Sequence, residues 1–537
     1  MRLGVDFGTT RIVVAASDRG NYPILTFDGP DGECFDWYPP LVAVSAGRLV
    51  FSWEAWRAQS EPGWTVLRSV KRLLQDAGPR TLVELEGQSV PLGELLAGMA
   101  ARLKRDLLEH SSLHARTDEP LQIMLGVPAN ANSNQRFLTI DAFQRAGFDV
   151  LGLLNEPSAA SIEFGHRERA SRQARPPARI LVYDLGGGTF DVSLVELDDC
   201  THSVIASAGI TALGGDDFDI LLAGLALDAA GIGGAERDSM TQAEWFQLHE
   251  ECRRRKEALH PSTRRISVDL SLVRDGWKDV SIPAAEYYAR CRPLLDKTTE
   301  VVMDLLARGG VSGENALDAL YVTGGASELP LVARVLREQY GRKVRRSAYT
   351  RSATAIGLAI QADASSGYVL RDVLTRHFGV WREGGAGAHA VFDPLFPRGA
   401  RLPRTGEPAL VNRRIYRPVH NIGHFRYLEC SRLSSDGSPA GDFAVWDDIR
   451  FPFDPALAAV PDLSPVPVER LPAAEFQEPA AESQEIEERY LCGAGGGITA
   501  TIRNLTAGYE REYKLARWAP AEVSPTPARR SKAAKSK

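Results

Sequence analysis

The sequence of 537 residues is 44% hydrophobic and 25% charged, which is typical of a globular protein with room for three or four domains and a sizeable core. Its net charge of −6 provides no general attraction to nucleic acids or anionic membranes. The six cysteines form no C-x-x-C pair, which argues against a zinc site or a disulfide scaffold. The chain begins directly with a strand-like segment and has no apolar run near about 18 residues, so we expect a cytoplasmic protein without a membrane span.

The chain opens with a predicted β-hairpin. The apolar run 3–5 leads into Asp6–Thr10, which contains Gly8, Thr9 and Thr10, and a second apolar run covers 12–16. Two strand-like runs joined by a glycine turn are typical of a hairpin. Because glycine tolerates positive φ and lacks a Cβ, backbone N–H groups in such a turn can point inward and bind an anion.

A second copy of this pattern covers residues 180–195. Its turn, Asp184–Asp191, holds three consecutive glycines between two aspartates. Acidic residues beside a phosphate would repel it unless a cation lay between them, so Asp184 and Asp191 indicate Mg²⁺, a hard ion that keeps several waters. The alternative is a plain hairpin with a glycine turn. Two phosphate-binding hairpins on two similar lobes would hold one nucleotide, and neither a Rossmann fingerprint nor a P-loop is present.

Three further segments, together with the two hairpins, resemble the motifs of a known protein family. With Ile123–Ala129, Leu154–Ala160 and Leu213–Asp219, the paired hairpins resemble the actin-like ATPase superfamily and, more specifically, the nucleotide domain of DnaK-type (seventy-kilodalton heat-shock) chaperones. The resemblance covers residues 1–362 and is weaker beyond residue 372. It implies an α/β fold in which a two-lobed actin-like ATPase domain precedes an all-β sandwich that lacks a helical lid.

The resemblance also implies roles for individual residues. The catalytic group would be Lys71, Glu156, Asp184 and Thr189, with Lys71 and Glu156 orienting the attacking water; phosphoryl transfer depends mostly on such positioning and electrostatics. Asp6, Asp184 and Asp191 would hold Mg²⁺, mostly through water. The ATP or ADP would be bound by Gly8, Thr9, Thr10, Gly186, Gly187, Gly188, Thr189, Gly214, Gly215, Asp216, Lys256, Gly324 and Gly325. Pro128 and Arg136 match a switch that relays nucleotide state; a strand-ending proline and a surface arginine are the alternative.

The sequence departs from the family where adenosine would bind. Arg253 replaces an acid expected on the ribose, although Lys256 is kept, and Glu257 and Glu328 replace two arginines expected on the base. His260 replaces a serine beside the base, and Arg351 replaces an acid near the end of the lobe. Two alternatives remain open: a rearranged cluster of charge-assisted pairs, in which the glutamates contact Arg351 or Arg253, or a degraded adenosine pocket.

The predicted domains follow from composition and from the resemblance. Residues 1–366 would form the ATPase domain, with lobes at about 1–170 and 180–362, and 367–373 would be the interdomain linker, whose apolar run Arg371 interrupts. Short apolar runs with regular turns predict a β-sandwich over 374–518. Within it, 455–489 is rich in Pro, Ala and Glu and is predicted to be a flexible acidic insertion. The remainder, 519–537, is predicted to be a disordered basic tail.

The main hypothesis is an ATP-dependent, chaperone-like protein that hydrolyses MgATP slowly and thereby regulates binding of an extended polypeptide. J-domain co-chaperones and nucleotide exchange factors are the further partners that the resemblance implies. The second hypothesis is a non-catalytic, nucleotide-sensing scaffold with a degraded adenosine pocket. A third, another actin-like enzyme such as a small-molecule kinase or a reactivating factor, is disfavoured by the chaperone-type order of the motifs and by the β-rich C-terminal part. A kinase would also need an acceptor pocket with a base, and none can be identified from the sequence.

Overall fold

The computed structural model describes residues 1–30, 32–59, 61, 63–75, 77, 81–113, 119–170, 179–311, 317–384, 389–404, 406–446, 448–470 and 484–515. The predicted basic tail and the centre of the predicted insertion, 471–483, lie outside the described residues. Within the described ranges, no helix has the length and apolar character needed to cross a membrane.

The first lobe is organised around the predicted N-terminal hairpin. In chain order its elements are β1 (Arg2–Phe7), β2 (Ile12–Ala16), β3 (Phe27–Asp28), β4 (Cys34–Phe35), β5 (Val42–Ser45), β6 (Arg48–Phe51), α1 (Trp53–Ala58), β7 (Thr65–Leu67), a 3₁₀ helix (Val70–Leu74), β8 (Leu82–Leu85), β9 (Gln88–Pro91), α2 (Leu92–Glu109), β10 (Gln122–Val127), α3 (Ser133–Arg145), β11 (Asp149–Asn155) and α4 (Glu156–Ala170). The main sheet has the order β11-β10-β1-β2, in which β1 and β2 form the hairpin and β10 and β11 run parallel to β1. Parallel strands need long crossovers, which α2 and α3 supply while covering one face of the sheet.

The second lobe repeats this plan around the second hairpin. Its elements are β12 (Arg179–Leu185), β13 (Phe190–Asp198), β14 (Thr201–Ile210), α5 (Gly215–Ala229), α6 (Gly234–Asp238), α7 (Gln242–Glu257), β15 (Arg265–Val268), a 3₁₀ helix (Leu270–Leu272), β16 (Val280–Pro283), α8 (Ala284–Arg308), β17 (Ala319–Thr323), a 3₁₀ helix (Gly325–Glu328), α9 (Pro330–Tyr340), a 3₁₀ helix (Gly341–Lys343), β18 (Val344–Arg346), α10 (Ala353–Ala362) and β19 (Val369–Arg371). The sheet order is β18-β17-β12-β13-β14-β19. Thr241 caps the start of α7 by accepting a hydrogen bond from the Glu244 N–H.

Two helices are exchanged between the lobes. α4, which continues the first lobe's last strand, packs through Ala160 and Phe164 on β12 and β13 of the second lobe. α10, which follows the second lobe's strands, packs through Ala355 and Ala359 on β2 of the first. The helices cross where a Cβ on Gly357 would lie 1.8 Å from the Ala159 carbonyl oxygen, so only glycine allows this approach.

The linker extends the sheet of the second lobe. β19 pairs parallel with β14, with Val369 opposite Thr201 and Arg371 opposite Ser203. The Val369 N–H donates to the Cys200 carbonyl oxygen over 2.9 Å. Arg371, expected to interrupt the apolar linker, lies half-buried at the end of this strand and does not prevent pairing.

The C-terminal part is a β-sandwich. Its elements are β20 (His377–Gly384), β21 (His389–Phe396), β22 (Leu410–Tyr416), β23 (Ile422–Leu433), β24 (Pro439–Val445), β25 (Ile449–Pro452), a 3₁₀ helix (Pro455–Leu457), β26 (Ile486–Cys492), β27 (Ile498–Asn504) and β28 (Tyr509–Leu515). One sheet has the order β21-β20-β23-β24, with β25 also on β23, and the other has the order β22-β26-β27-β28. Aromatic and aliphatic side chains from both sheets form one core. The predicted fold class, a two-lobed α/β domain followed by an all-β domain, is confirmed; because residues 516–537 are not described, the missing lid stays a prediction.

The segment predicted as a flexible insertion is partly built into the sandwich. Leu463 is 3% exposed. The Arg450 guanidinium donates hydrogen bonds to the carbonyl oxygens of Leu463, Ser464 and Val466. Residues 486–489 belong to β26. Composition alone missed this packing because one buried leucine and one arginine anchor an otherwise polar loop.

Candidate functional site

A cleft enclosing about 840 Å³, part of it open to solvent, lies between the lobes. Both hairpin turns reach it, as do the 3₁₀ helix at Val70–Leu74 and the starts of α4, α5 and α10. The predicted site residues that line it are Asp6, Gly8, Thr9, Thr10, Lys71, Glu156, Asp184, Gly186, Gly187, Thr189, Gly215, Asp216, Lys256, Gly324 and Gly325. Residues that are far apart in the sequence therefore share one cavity.

Three predicted residues lie behind this lining. A Cβ on Gly214 would lie 2.6 Å from the Gly187 carbonyl oxygen, so the two backbones are in direct contact. A Cβ on Gly188 would lie 2.6 Å from Thr9 Oγ1, which brings the two hairpin turns together. Asp191 is 2% exposed and accepts a hydrogen bond from the Ala129 N–H over 2.7 Å. These residues do not line the cleft themselves, but they pack behind the turns and hold them in position.

A buried ion pair lies in the cleft. Lys71 Nζ is 2.5 Å from Glu156 Oε1, and each residue is 8% exposed. Lys71 comes from the 3₁₀ helix, and Glu156 is the first residue of α4. Burial alone would lower the pKa of Lys71, but Glu156 and Asp6 outweigh it and raise that pKa, so the lysine stays charged. A charged lysine and a carboxylate are thus held together, largely shielded from water.

Three aspartates lie close to this pair and resist ionisation. Burial, and then the neighbouring Glu156, raise the pKa values of Asp6, Asp184 and Asp191. Asp184 and Asp191 face each other across the second hairpin. Carboxylates held this way are a donor set that fits a hard divalent cation such as Mg²⁺. No three His, Cys, Asp or Glu side chains in the described ranges are placed to coordinate one metal ion directly, and contact through water stays a prediction.

The glycine turns pack closely against one another. The N–H groups of Gly215 and Asp216 donate to the carbonyl oxygens of Gly186 and Gly187 over 2.9 and 2.8 Å. Gly324 has φ +84°, and a Cβ there would lie 2.3 Å from the Leu185 carbonyl oxygen. A side chain at these points would separate the loops, so the glycines keep three turns within reach of one anionic ligand.

The departures from the family pattern form a chain of ion pairs. Glu257 Oε2 lies 2.6 Å from Arg11 and 3.6 Å from Arg351. Arg351 also lies 2.6 Å from Glu328, which is 3.3 Å from Arg346. Burial alone would raise the pKa of Glu257, but Arg11 and the other arginines outweigh it and lower the pKa. Of the two alternatives, the rearranged charge cluster is the one that this geometry supports.

Other replaced residues have different surroundings. Arg253 pairs with Glu250 instead of Glu257 or Glu328. Lys256 Nζ lies 2.7 Å from Asp219 and donates to the Gly215 carbonyl oxygen over 2.7 Å. His260 is exposed and does not line the cleft. Each lining cation on this side therefore already has an anionic partner.

Sequence reasoning did not select Arg11, Asp219, Thr350 or Thr354, which also line the cleft. Arg11 was detectable, because it directly follows Thr10 on the first hairpin, whose turn residues line the cleft. Its partner Glu257 is 246 positions away, which no local pattern indicates.

The cleft is connected to the linker and the sandwich by hydrogen bonds. Asn155, directly before Glu156, accepts a hydrogen bond from Arg136 over 2.6 Å and donates one to Asp372 of the linker over 2.9 Å. At the start of α3, the Ser133 N–H donates to Glu429 of β23 over 3.0 Å. A carboxylate at a helix N-terminus is stabilised by the helix dipole and by unpaired N–H groups.

Comparison with known proteins agrees with this arrangement. The family model described as Hsp70 protein matches residues 80–393. The chain belongs to the Hsp70 family. The resemblance drawn from its motifs is thereby confirmed.

Curated relatives of this Hsp70 chain include a chaperone protein HscA homolog of Chromobacterium violaceum, 30% identical over 425 residues, which are 75% of this chain and 65% of the relative. The chaperone protein HscA of Serratia proteamaculans is 30% identical over 429 residues, 74% of this chain and 64% of the relative. The chaperone protein dnaK of Cyanidioschyzon merolae is 30% identical over 432 residues, 75% of this chain and 68% of the relative. The chain thus spans somewhat less than two thirds of the length of the HscA relatives.

Proposed function

We propose that this Hsp70-family chain hydrolyses MgATP slowly in the cleft between its lobes and uses the nucleotide state to regulate polypeptide binding by its β-sandwich, without a helical lid. The observation that carries the proposal is the buried Lys71–Glu156 ion pair, 2.5 Å long, beside three aspartates and the glycine turns. Positive charge, a base and backbone donors around one cavity are what phosphoryl transfer to water requires.

In this proposal each group has one role. Glu156 accepts a proton from, or orients, the attacking water, and Lys71 fixes that water and offsets negative charge on the γ-phosphate. Thr9, Thr10 and Thr189, with the turn glycines, bind the β- and γ-phosphates. Asp6, Asp184 and Asp191 would hold Mg²⁺, which when bound neutralises phosphate oxygens.

The proposed coupling uses the hydrogen bonds around Asn155. ATP binding beside Glu156 would alter the hydrogen bonds of the adjacent Asn155 to Arg136 and Asp372, and hence the docking of the linker. The sandwich would bind an extended polypeptide segment by strand pairing and side-chain pockets. Because coupling free energies are reciprocal, client should also change nucleotide affinity. A J-domain co-chaperone and a nucleotide exchange factor are the proposed further partners.

The test is calorimetric titration of MgATP and MgADP, followed by single-turnover hydrolysis on the same samples. We expect wild type to bind ATP and hydrolyse it slowly, and Lys71→Ala to lose hydrolysis. Lys297→Ala, an exposed lysine on α8 that does not line the cleft, is the control and should behave as wild type. Absent binding, or hydrolysis unaffected by Lys71→Ala, would overturn the proposal. The coupling is tested with a reduced, carboxymethylated protein as an unfolded client. If the affinity of the chain for this client is the same with and without nucleotide, the proposed coupling is overturned.

A second candidate is a non-catalytic scaffold that senses nucleotide. It is favoured by the ion pairs of Glu257 and Glu328, which occupy the arginine partners that could otherwise contact a base. Binding of MgATP without hydrolysis in wild type would select this candidate.

A further inference from the structure

One side of the cleft is lined by charged side chains that neutralise each other. Arg11 and Glu257 pair over 2.6 Å, and both line the cleft. Arg351, also in the lining, pairs with Glu328 over 2.6 Å. Arg253 and Lys256 are paired with Glu250 and Asp219 on the same side.

Recognition of a nucleobase needs free donors and acceptors matched to its edge. A site built to hydrogen-bond one group of a substrate rejects an analogue that lacks it by about 10⁴-fold or more. Here the carboxylate and guanidinium groups are already engaged with each other, so using them for a base means giving up a charge-assisted pair. No aromatic side chain in the described ranges lines the cleft to stack on a base.

The donors that remain cannot tell bases apart. Arg11 Nε and Arg253 Nε are buried and have no hydrogen-bond partner among the residues that the structure describes. Each is a single N–H donor, and every base and the ribose hydroxyls offer an oxygen or ring-nitrogen acceptor. Because both atoms are shielded from solvent, they offer a base in the cleft no hydrogen bond that would select adenine.

The phosphate side of the cleft is different. It offers three glycine turns, the threonines of both hairpins and the charged Lys71. We infer that this site binds nucleoside triphosphates as a class, through the magnesium triphosphate, and discriminates little among their bases. The inference rests on the proposed function, since it concerns the nucleotide bound in the same cleft.

The test is competition binding to the full chain in Mg²⁺, with MgATP, MgGTP, MgCTP and magnesium tripolyphosphate as the probes. We expect the three nucleotide dissociation constants to agree within about tenfold, since a tenfold ratio corresponds to roughly one net hydrogen bond. Tripolyphosphate, which has no base, should displace MgATP fully at saturation. MgATP binding more than about tenfold tighter than MgGTP and MgCTP would overturn the inference and leave the proposed function intact. Tripolyphosphate that fails to displace MgATP would also overturn it.

A variant at Glu257 tests whether the ion pair with Arg11 is the cause of the low base selectivity. Glu257→Gln removes the charge that engages Arg11 and Arg351, and a freed guanidinium can donate two hydrogen bonds to guanine O6 and N7. The affinity ratio of MgGTP to MgATP should rise by about tenfold, with tripolyphosphate affinity changing far less. Glu338→Gln is the matched control: Glu338 lies on α9 in an exposed 3.4 Å pair with Arg292 of α8, and its replacement should leave every ratio unchanged.

The outcomes separate the two claims. An unchanged ratio in Glu257→Gln would overturn the assignment of base tolerance to the Arg11–Glu257 pair. If neither wild type nor Glu338→Gln binds any of the four probes, the proposed function fails together with the inference. If ATP alone binds and is hydrolysed, only the inference fails.

Discussion

Docking of the sandwich on the first lobe should depend on the charge of Glu429. Its side chain is 8% exposed, accepts hydrogen bonds from both the N–H and the hydroxyl of Ser133, and lies 3.7 Å from Arg376. Glu429→Gln removes the charge and places the amide N–H₂ of the new side chain against either the N–H or the hydroxyl of Ser133, both of which are donors. The loss of one hydrogen bond to a charged acceptor costs roughly 1.5–3 kcal/mol, so the ratio of docked to undocked chain should fall by about 10- to 100-fold.

Hydrogen exchange of the linker is the assay. The Val369 N–H is bonded to the Cys200 carbonyl oxygen and exchanges only when β19 separates from β14. Peptides covering residues 367–374 should therefore exchange about 10- to 100-fold faster in Glu429→Gln if linker and sandwich undock together. Glu510 is an exposed carboxylate 3.8 Å from Arg503 within the sandwich, and Glu510→Gln is the control. The linker peptides of this variant should exchange at the wild-type rate. Linker exchange that stays within twofold of wild type in Glu429→Gln would refute the reasoning.

Three further predictions concern stability and the cation. Burial lowers the pKa of His202 from 6.5, the value expected in the unfolded chain, to about 4. The unfolded chain therefore binds a proton first as the pH falls, and between pH 6.5 and pH 4 the free energy of unfolding should drop by about 3 kcal/mol because of this residue. Chemical denaturation at stepped pH should find this loss in wild type but not in His202→Phe; equal slopes would contradict it. Gly357→Ala, at the crossing of α4 and α10, should lower the free energy of unfolding by about 1–3 kcal/mol. Gly224→Ala in α5 should raise it by about 0.5–1 kcal/mol, because none of the described neighbours lies near the new Cβ. Thermal melts that rank the two variants equally would contradict the packing argument. Removing Mg²⁺ with a chelator should weaken ATP binding by about tenfold or more, because the buried aspartates would then face the phosphates uncompensated, and calorimetry that gives equal affinities would count against a cation at Asp184.

The parts of the molecule with local signals were predictable. A glycine turn between two apolar runs specifies a hairpin wherever it occurs, and both hairpins were predicted from the residues alone. An acid followed by a proline is typical of the first turn of a helix, and Glu156 and Pro157 do begin α4. In each case the controlling interactions are between near neighbours in the chain.

The parts that depend on distant contacts were not. α10 is buried on nearly all sides, and a uniformly apolar pattern does not indicate which sheet a helix covers. Hence the segment at 353–362, counted with the second lobe by position, packs on the first lobe's sheet. The pairing of Glu257 with Arg11 escaped prediction for the same reason, although the excess of opposite charges had suggested that some pairing would form.

The exchanged helices have a mechanical consequence. The crossing at Ala159 and Gly357 lies less than one turn from Glu156, at the start of α4. When two rigid bodies rotate about a crossing point, displacement grows with distance from that point. Glu156 stands close to the pivot, whereas Glu257 ends α7, a helix outside the crossing. Rotation of the lobes about this crossing would therefore open the cleft at Glu257 and release a ligand. The Lys71–Glu156 pair, which lies beside the pivot, would stay assembled during that rotation.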